Sequence, residues 1–337
     1  MSPSYVLVTG GTGFIGAHVV DCLLRRGLKV RIATRSAAKA EIMKQDRPEH
    51  AHLIDYVTID DFEKEGVFHG AAKGCDGIIH VASPFSYDVT DVEKELIIPA
   101  INGVKAIMEA AASEPAVQRV VLTSSFASVL DVARGPGPGF TYTGADWNPL
   151  TYEESVKADP VVAYRGSKKY AEKAAWDFVE AHKGSINFDL VTLCPPMTFG
   201  PIVHPVRSVK ELNVSNAMLW DIAEGVSPLP VSRVPVWIDV RDLAEAHVQA
   251  LLTKEVGGRR YVPAAPDFFS YQLAADIMRA KFDWAPTQVT KGNEGEPIPE
   301  SYTLDGAAVA RELSVTYHTF PEMVVDALTQ FRAMPRE

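Results

Sequence analysis

The sequence predicts an α/β fold, a doubly wound parallel sheet followed by a smaller, mostly helical C-terminal lobe. Three observations carry the prediction. Short β-rich runs alternate with helical stretches up to Cys194, and strict strand–helix alternation implies βαβ units with helices on both faces of a sheet. A glycine-rich turn, Thr9-Gly10-Gly11-Thr12-Gly13-Phe14-Ile15-Gly16, joins the first strand to the first helix. Beyond Cys194 the texture changes: prolines gather at Pro195, Pro196, Pro201, Pro205, Pro228, Pro230 and Pro235, and helices alternate with loops.

Tyr5–Thr9 reads as a buried strand. The helix expected over Phe14–Arg26 puts Ile15, Val19, Leu23 and Leu24 on one apolar face and stops at Gly27. Further strands are expected at Lys29–Thr34, Leu53–Thr58, Gly77–Val81, Val117–Thr123 and Phe188–Cys194, with helices near Ala37–Gln45, Asp91–Ala112 and Pro160–His182. Right-handed crossovers leave few ways to order such strands. Arg134–Gly139 reads as a local loop. Val234–Ile238 is expected to return to the main sheet, and Asp239 or Asp242 to cap a helix running to about Leu252. A β-like run near Arg260–Val262 precedes helices at Tyr271–Lys281, Leu304–Glu312 and Pro321–Phe331.

The chain has 337 residues, 33 basic and 43 acidic, for a net charge of −10. It carries no basic stripe, which argues against nucleic acid as a partner. No apolar run is as long as the ~18 residues a membrane span needs, so no membrane association is expected. Met-Ser-Pro-Ser leads straight into the first strand without a signal-like stretch, and the expected compartment is cytoplasmic. Cys22, Cys75 and Cys194 are scattered, and no histidine spacing suits a metal, so neither a disulfide framework nor a metal site is expected.

Gly10 and Gly13 can take backbone angles closed to other residues and leave room for a pyrophosphate, while Gly16 lets the helix approach the sheet. The helix start offers unpaired N–H groups and partial positive charge to phosphates. The second strand ends at Thr34-Arg35, with Lys39 one turn on. An acid there would hold the ribose hydroxyls of NAD. A guanidinium and an ammonium instead suit a 2′-phosphate, so NADPH/NADP+ is the expected cofactor. Asp61 and Phe62 follow the third strand, where they face either adenine or solvent. The expected contacts also take in Thr12, Phe14, Ile15, Val81, Ala82, Ser83 and Thr123, at the turn and at strand ends.

Tyr164-Arg165-Gly166-Ser167-Lys168 sets a phenol and an ammonium on one face of a helix, one turn apart. Ser124 and Ser125 end the strand before it, at the carboxyl edge where doubly wound sheets bind ligands. Reducing a carbonyl needs a hydride and a proton. A phenol is a reluctant acid–base near neutrality, and a nearby ammonium favours its phenolate. A serine hydroxyl can hold the oxygen on which charge develops. Tyr164 is thus the expected proton donor, Lys168 its electrostatic partner and ribose anchor, and Ser125 the oxyanion stabiliser, with Ser124 open as its substitute.

Together, TGGTGFIG, the TSS ending at Ser125 and YRGSK at Tyr164–Lys168 resemble the extended short-chain dehydrogenase/reductases. His80-Val-Ala-Ser-Pro-Phe85, Cys194-Pro-Pro-Met-Thr-Phe-Gly-Pro201 and Trp237-Ile-Asp-Val-Arg-Asp242 are similar to the dihydroflavonol-reductase-like branch, and within it to fungal NADPH-dependent ketoreductases of the methylglyoxal-reductase type. The change of texture along the chain divides it into an expected NADP-binding Rossmann domain over 1–194, with returns near 232–262, and a substrate-binding lobe over 195–337. The resemblance implies that Pro195, Met197 and Thr198 wrap the nicotinamide.

Phe85, Phe126 and Met197 are expected to line an apolar substrate cleft, with Trp220 either covering it or packed in a core. His80 reads as a core histidine, and Asp239–Asp242 as helix capping plus an ion pair. The leading expectation is an NADPH-dependent reductase of small, apolar or aromatic ketones and aldehydes, a monomer or homodimer. The alternatives are a nucleotide-sugar epimerase or dehydratase with tightly held NAD, and a non-catalytic NADP sensor.

Overall fold

The computed structural model describes residues 3–83, 89–232 and 234–337. The chain runs β1 (Tyr5–Thr9), α1 (Phe14–Arg25), β2 (Lys29–Thr34), α2 (Ala37–Gln45), β3 (Ile54–Thr58), α3 (His69–Ala72), β4 (Gly77–His80), α4 (Ile98–Ser113) and β5 (Arg119–Thr123). It continues through β6 (Thr141–Tyr142), α5 (Tyr152–Lys157), α6 (Pro160–Ala181), β7 (Asp189–Leu193), β8 (Met197–Phe199), α7 (Val214–Ala223), β9 (Trp237–Asp239), α8 (Val240–Leu252) and β10 (Arg260–Tyr261). It ends with α9 (Tyr271–Lys281), α10 (Ala285–Gln288), β11 (Thr303–Leu304), α11 (Gly306–Leu313) and α12 (Phe320–Ala333).

Seven parallel strands form the main sheet in the order β3-β2-β1-β4-β5-β7-β10. The expected doubly wound sheet is therefore present. Val6 and Val8 face one side, in a core shared with α1 and α8. Leu7 and Ile78 face the other, against α3, α4 and α6. Burial on both faces explains why these strands read as continuous apolar runs rather than alternating ones. Strand order reverses between β1 and β4, and the crevice at their carboxyl ends is the usual ligand position in such sheets. The stretch Glu93–Ser113 is long and apolar enough to pass for a membrane span, but 61% of its apolar window is buried inside the molecule.

A second hydrophobic core lies in the C-terminal part, built by α7, α9 and α12 around Trp237, Phe269 and Phe320. One expectation fails here. The strand near Val234–Ile238 does not return to the main sheet: it forms as β9 and pairs with β8, Met197 opposite Trp237. The return is made by β10, whose Tyr261 lies opposite Leu193. Pro235 has no N–H to give a ladder, which weakens the early part of the expected strand. Asp239 is the cap of α8, accepting from Arg241 N at 2.8 Å and pairing with the Arg241 guanidinium at 2.7 Å. Asp242 instead accepts from the His318 N–H at 2.8 Å.

Candidate functional site

The turn after β1 is shaped by close approach. Gly10 has φ +68°, and a Cβ there would stand 2.9 Å from the Ala82 nitrogen. At Gly16 a Cβ would meet the Gly10 carbonyl oxygen at 2.1 Å. The first helix starts at Gly13 with no side-chain cap and no acid in its first turn, so its N–H groups stay available to an anion. The Thr9 hydroxyl ties the turn to β4: it lies 2.9 Å from His80 Nδ1 and accepts the Ala82 N–H at 3.2 Å. Burial lowers the His80 pKa to about 3, so its ring is neutral.

In front of this turn lies a cavity of about 780 Å³, within the usual range for a cofactor site. Gly10, Thr12, Gly13, Phe14 and Gly16 line its floor. Arg35 and Lys39 line one end, with Asp61 and Phe62 beside them. Val81, Ala82, Ser83, Thr123 and Lys168 line the other. Arg35 and Lys39 form no ion pair among the described residues. Ser36 caps α2 by accepting the Lys39 N–H at 3.2 Å, which fixes the first turn of the helix that carries Lys39. Ile15 does not line the cavity: it packs against the core around α1. These features fit a dinucleotide with an extra phosphate near Arg35.

Helix α6 carries Tyr164 and Lys168. Asp159 caps it, accepting from Val161 N at 2.9 Å and Val162 N at 3.2 Å, and Pro160 opens its first turn. Gly166 permits α5 to approach, since a Cβ there would lie 2.1 Å from Ser155 Oγ. The Lys168 ammonium stands 5.6 Å from the centre of the Tyr164 ring and donates to Ser83 Oγ at 2.5 Å. Desolvation lowers the Lys168 pKa to about 8.

The two serines after β5 have different surroundings. Ser124 is buried and donates to Glu172 Oε2 at 2.6 Å. Ser125 is half-buried, and its Oγ accepts the Ala127 N–H at 3.1 Å. Below them Glu172 and Arg260 form a buried ion pair, 2.7 Å from Nε to Oε1. Burial alone would raise the Glu172 carboxyl; Arg260 and the hydroxyl donors overcome it and hold the pKa below the usual range. Thr192 Oγ1 donates to Glu172 at 2.8 Å, and Ser128 Oγ lies 2.7 Å from both Glu172 and the Ser125 carbonyl. His247, also unread in the sequence, backs Thr123. Its Nδ1 faces the Leu243 carbonyl at 2.7 Å, which leaves Nε2 to accept the Thr123 hydroxyl at 2.6 Å.

Residues 6–262 match the NAD dependent epimerase/dehydratase family. The chain belongs to that family. It is 35% identical to the NADPH-dependent methylglyoxal reductase of Saccharomyces cerevisiae, over 96% of this chain and 97% of that protein. It is 34% identical to a ketoreductase of Aspergillus niger, over 96% of each. Its fold matches the crystal structure of yeast methylglyoxal/isovaleraldehyde reductase complexed with NADPH with a TM-score of 0.88 and 33% identity, covering 97% of this chain and 98% of that one. The resemblance to extended short-chain dehydrogenase/reductases read from the motifs is borne out.

In this epimerase/dehydratase-family chain the expected substrate residues divide. Phe85 lies outside the described residues. Phe126 is 3% exposed, packed edge-on to Tyr142 and 5.7 Å from the Tyr302 ring centre. Met197 is half-buried on β8 against the second core, and the Pro195 carbonyl accepts the Phe126 N–H at 2.9 Å. Thr198 Oγ1 donates to the Pro196 carbonyl at 3.2 Å. Pro195, Met197 and Thr198 do not line the 780 Å³ cavity. Trp220 does not cover a cleft: it is 8% exposed, packed in the second core, with the Arg336 guanidinium 5.4 Å from its ring. A second cavity of about 940 Å³ is lined by Leu130, Arg165 and Tyr302 among others.

Proposed function

We propose that this chain is an NADPH-dependent carbonyl reductase acting on small ketones and aldehydes. The observation that carries the reading is the position of Lys168, which lines the cavity of the glycine turn while its ammonium stands 5.6 Å from the Tyr164 ring centre. One cation thus serves the cofactor site and the phenol together. The names of the yeast and Aspergillus relatives support the same reading.

The glycine turn and the start of α1 would hold the diphosphate, Arg35 and Lys39 the 2′-phosphate, and Lys168 the nicotinamide ribose. Bound there, NADPH supplies the hydride for the carbonyl carbon. Ser125 Oγ already accepts the Ala127 N–H, which leaves its own O–H to donate to the carbonyl oxygen. As negative charge grows on that oxygen, Tyr164 gives it a proton. The Lys168 ammonium offsets the phenolate left behind. Ser124 is committed to Glu172, so we assign the oxyanion role to Ser125. His80, neutral and buried, adds no competing positive charge beside Lys168.

The test is NADPH consumption with a panel of ketones and aldehydes, with the alcohol products analysed alongside. Matched loss of NADPH and gain of alcohol supports the reading. A protein that keeps NAD through purification and interconverts nucleotide sugars without net NADPH loss contradicts it.

A further inference from the structure

The second cavity begins next to the candidate catalytic residues. Leu130 on its wall lies in the segment that leaves Ser125 and Phe126. Tyr302 on the same wall packs against Phe126. Arg165, the residue after Tyr164, completes the connection: it lines the cavity and is close enough to Tyr302 to act on its phenol electrostatically. Tyr302 itself stays a neutral hydroxyl, because burial outweighs that effect and raises its pKa to about 12.

Arg165 is half-buried and makes no hydrogen bond or ion pair among the described residues. A guanidinium carries five N–H donors in a planar fork. An anion entering the cavity can pair with it. The cavity's acids, Glu296 and Glu300, are both exposed and solvated, so water and salt screen them more than the inner cation. Around the mouth the chain shows apolar surface to solvent: Val132 is 54% exposed and Val231 84% exposed, and both line the cavity.

We propose that this second cavity receives the body of the substrate and that Arg165 selects carbonyl compounds bearing a carboxylate, held by charge-assisted hydrogen bonds to its guanidinium. The proposal rests on the reductase reading and adds the substrate class. Geometry limits that class further. Successive side chains on a helix diverge by about 100°, so Tyr164 and Arg165 point to separated positions. A substrate serving both carries its carboxylate several atoms from the ketone, with an apolar body between or beside them. Long-spaced oxo acids fit, and short 2-oxo acids do not.

The test compares benzoylpropionate with its methyl ester as NADPH-linked substrates, in the wild type, Arg165→Leu and Arg165→Lys. The wild type is expected to favour the acid, and Arg165→Leu to lower the acid-to-ester ratio of kcat/KM about tenfold or more, chiefly through KM. Arg165→Lys, which keeps the charge but not the fork, is expected to fall between. Binding of phenylbutyrate and phenylbutyramide to the NADPH-bound protein gives a second reading independent of turnover, with the acid weakened selectively by Arg165→Leu. Without any turnover, selective loss of phenylbutyrate binding still supports the anion site while the reductase reading fails. Turnover of both substrates with an unchanged ratio, or equal binding of acid and amide, overturns the Arg165 assignment and leaves the reductase reading standing.

Discussion

One helical turn apart on α6, Lys168 holds its ammonium 5.6 Å from the centre of the Tyr164 ring. The same ammonium donates to Ser83, three residues beyond β4, so it joins the helix to the loop at the carboxyl end of that strand. Desolvation brings its pKa to about 8. Lys168 therefore carries its charge below that pH and loses it above, within reach of ordinary assays.

The pH profile follows from that sign. In the free enzyme, kcat/KM for carbonyl reduction is expected to be level on the acid side and to fall as pH rises through about 8. Lys168→Arg does not titrate in this range and is expected to remove that limb while lowering the plateau. An identical alkaline limb in the arginine variant assigns the titration to another group.

Arg35 and Lys39 stand at the end of the cavity without ion-pair partners among the described residues. Arg35→Asp is expected to lower the NADPH-to-NADH ratio of kcat/KM about tenfold or more, since charge-assisted bonds to a phosphate are replaced by repulsion. The check is steady-state kinetics with both dinucleotides. A constant ratio removes Arg35 from phosphate recognition.

The Glu172–Arg260 pair predicts a stability effect. Arg260 spreads over both Glu172 oxygens, at 2.7 and 3.1 Å, and its guanidinium stacks 3.8 Å from the Trp147 ring. Glu172→Ala leaves a buried guanidinium without its counter-charge and is expected to cost about 3–5 kcal/mol in denaturant unfolding. Pairing Glu172→Leu with Arg260→Met is expected to recover much of that loss. A single variant as stable as the wild type shows the pair to be energetically idle.

Gly10 makes a local prediction. Its φ of +68° and the 2.9 Å approach to the Ala82 nitrogen leave no room for a methyl group. Gly10→Ala is expected to displace the 81–83 segment and to weaken NADPH binding more than it weakens the fold. Titration of NADPH fluorescence against thermal melting separates the two. Equal losses in both mean that the glycine serves packing alone.

The features legible in the sequence were those set by short-range pattern. Continuous apolar runs fixed the parallel strands, the glycine spacing fixed the turn, and Tyr164 with Lys168 showed a helix face. What escaped depends on contacts between distant segments. Glu172 meets Arg260 across 88 residues, and only that meeting tells Ser124 from Ser125. A signal was present: Glu172 continues the face of Tyr164 and Lys168 by another turn and sits between the core residues Ala171 and Ala175. His247 likewise reaches Thr123 across 124 residues. The β9 strand was misplaced because its apolar run suits either sheet, and pairing with β8 is a tertiary outcome. The sequence leaves Trp220 open between covering the cleft and packing in a core, and its packing with α9 and α12 decides for the second core.

The most direct measurement is turnover and NADPH affinity in Tyr164→Phe, which removes one oxygen and keeps the ring beside Lys168. The account predicts reduction slowed about a hundredfold or more, with the NADPH dissociation constant little changed. Turnover near the wild-type rate would mean that the proton comes from elsewhere, and the assignment of this site would fall.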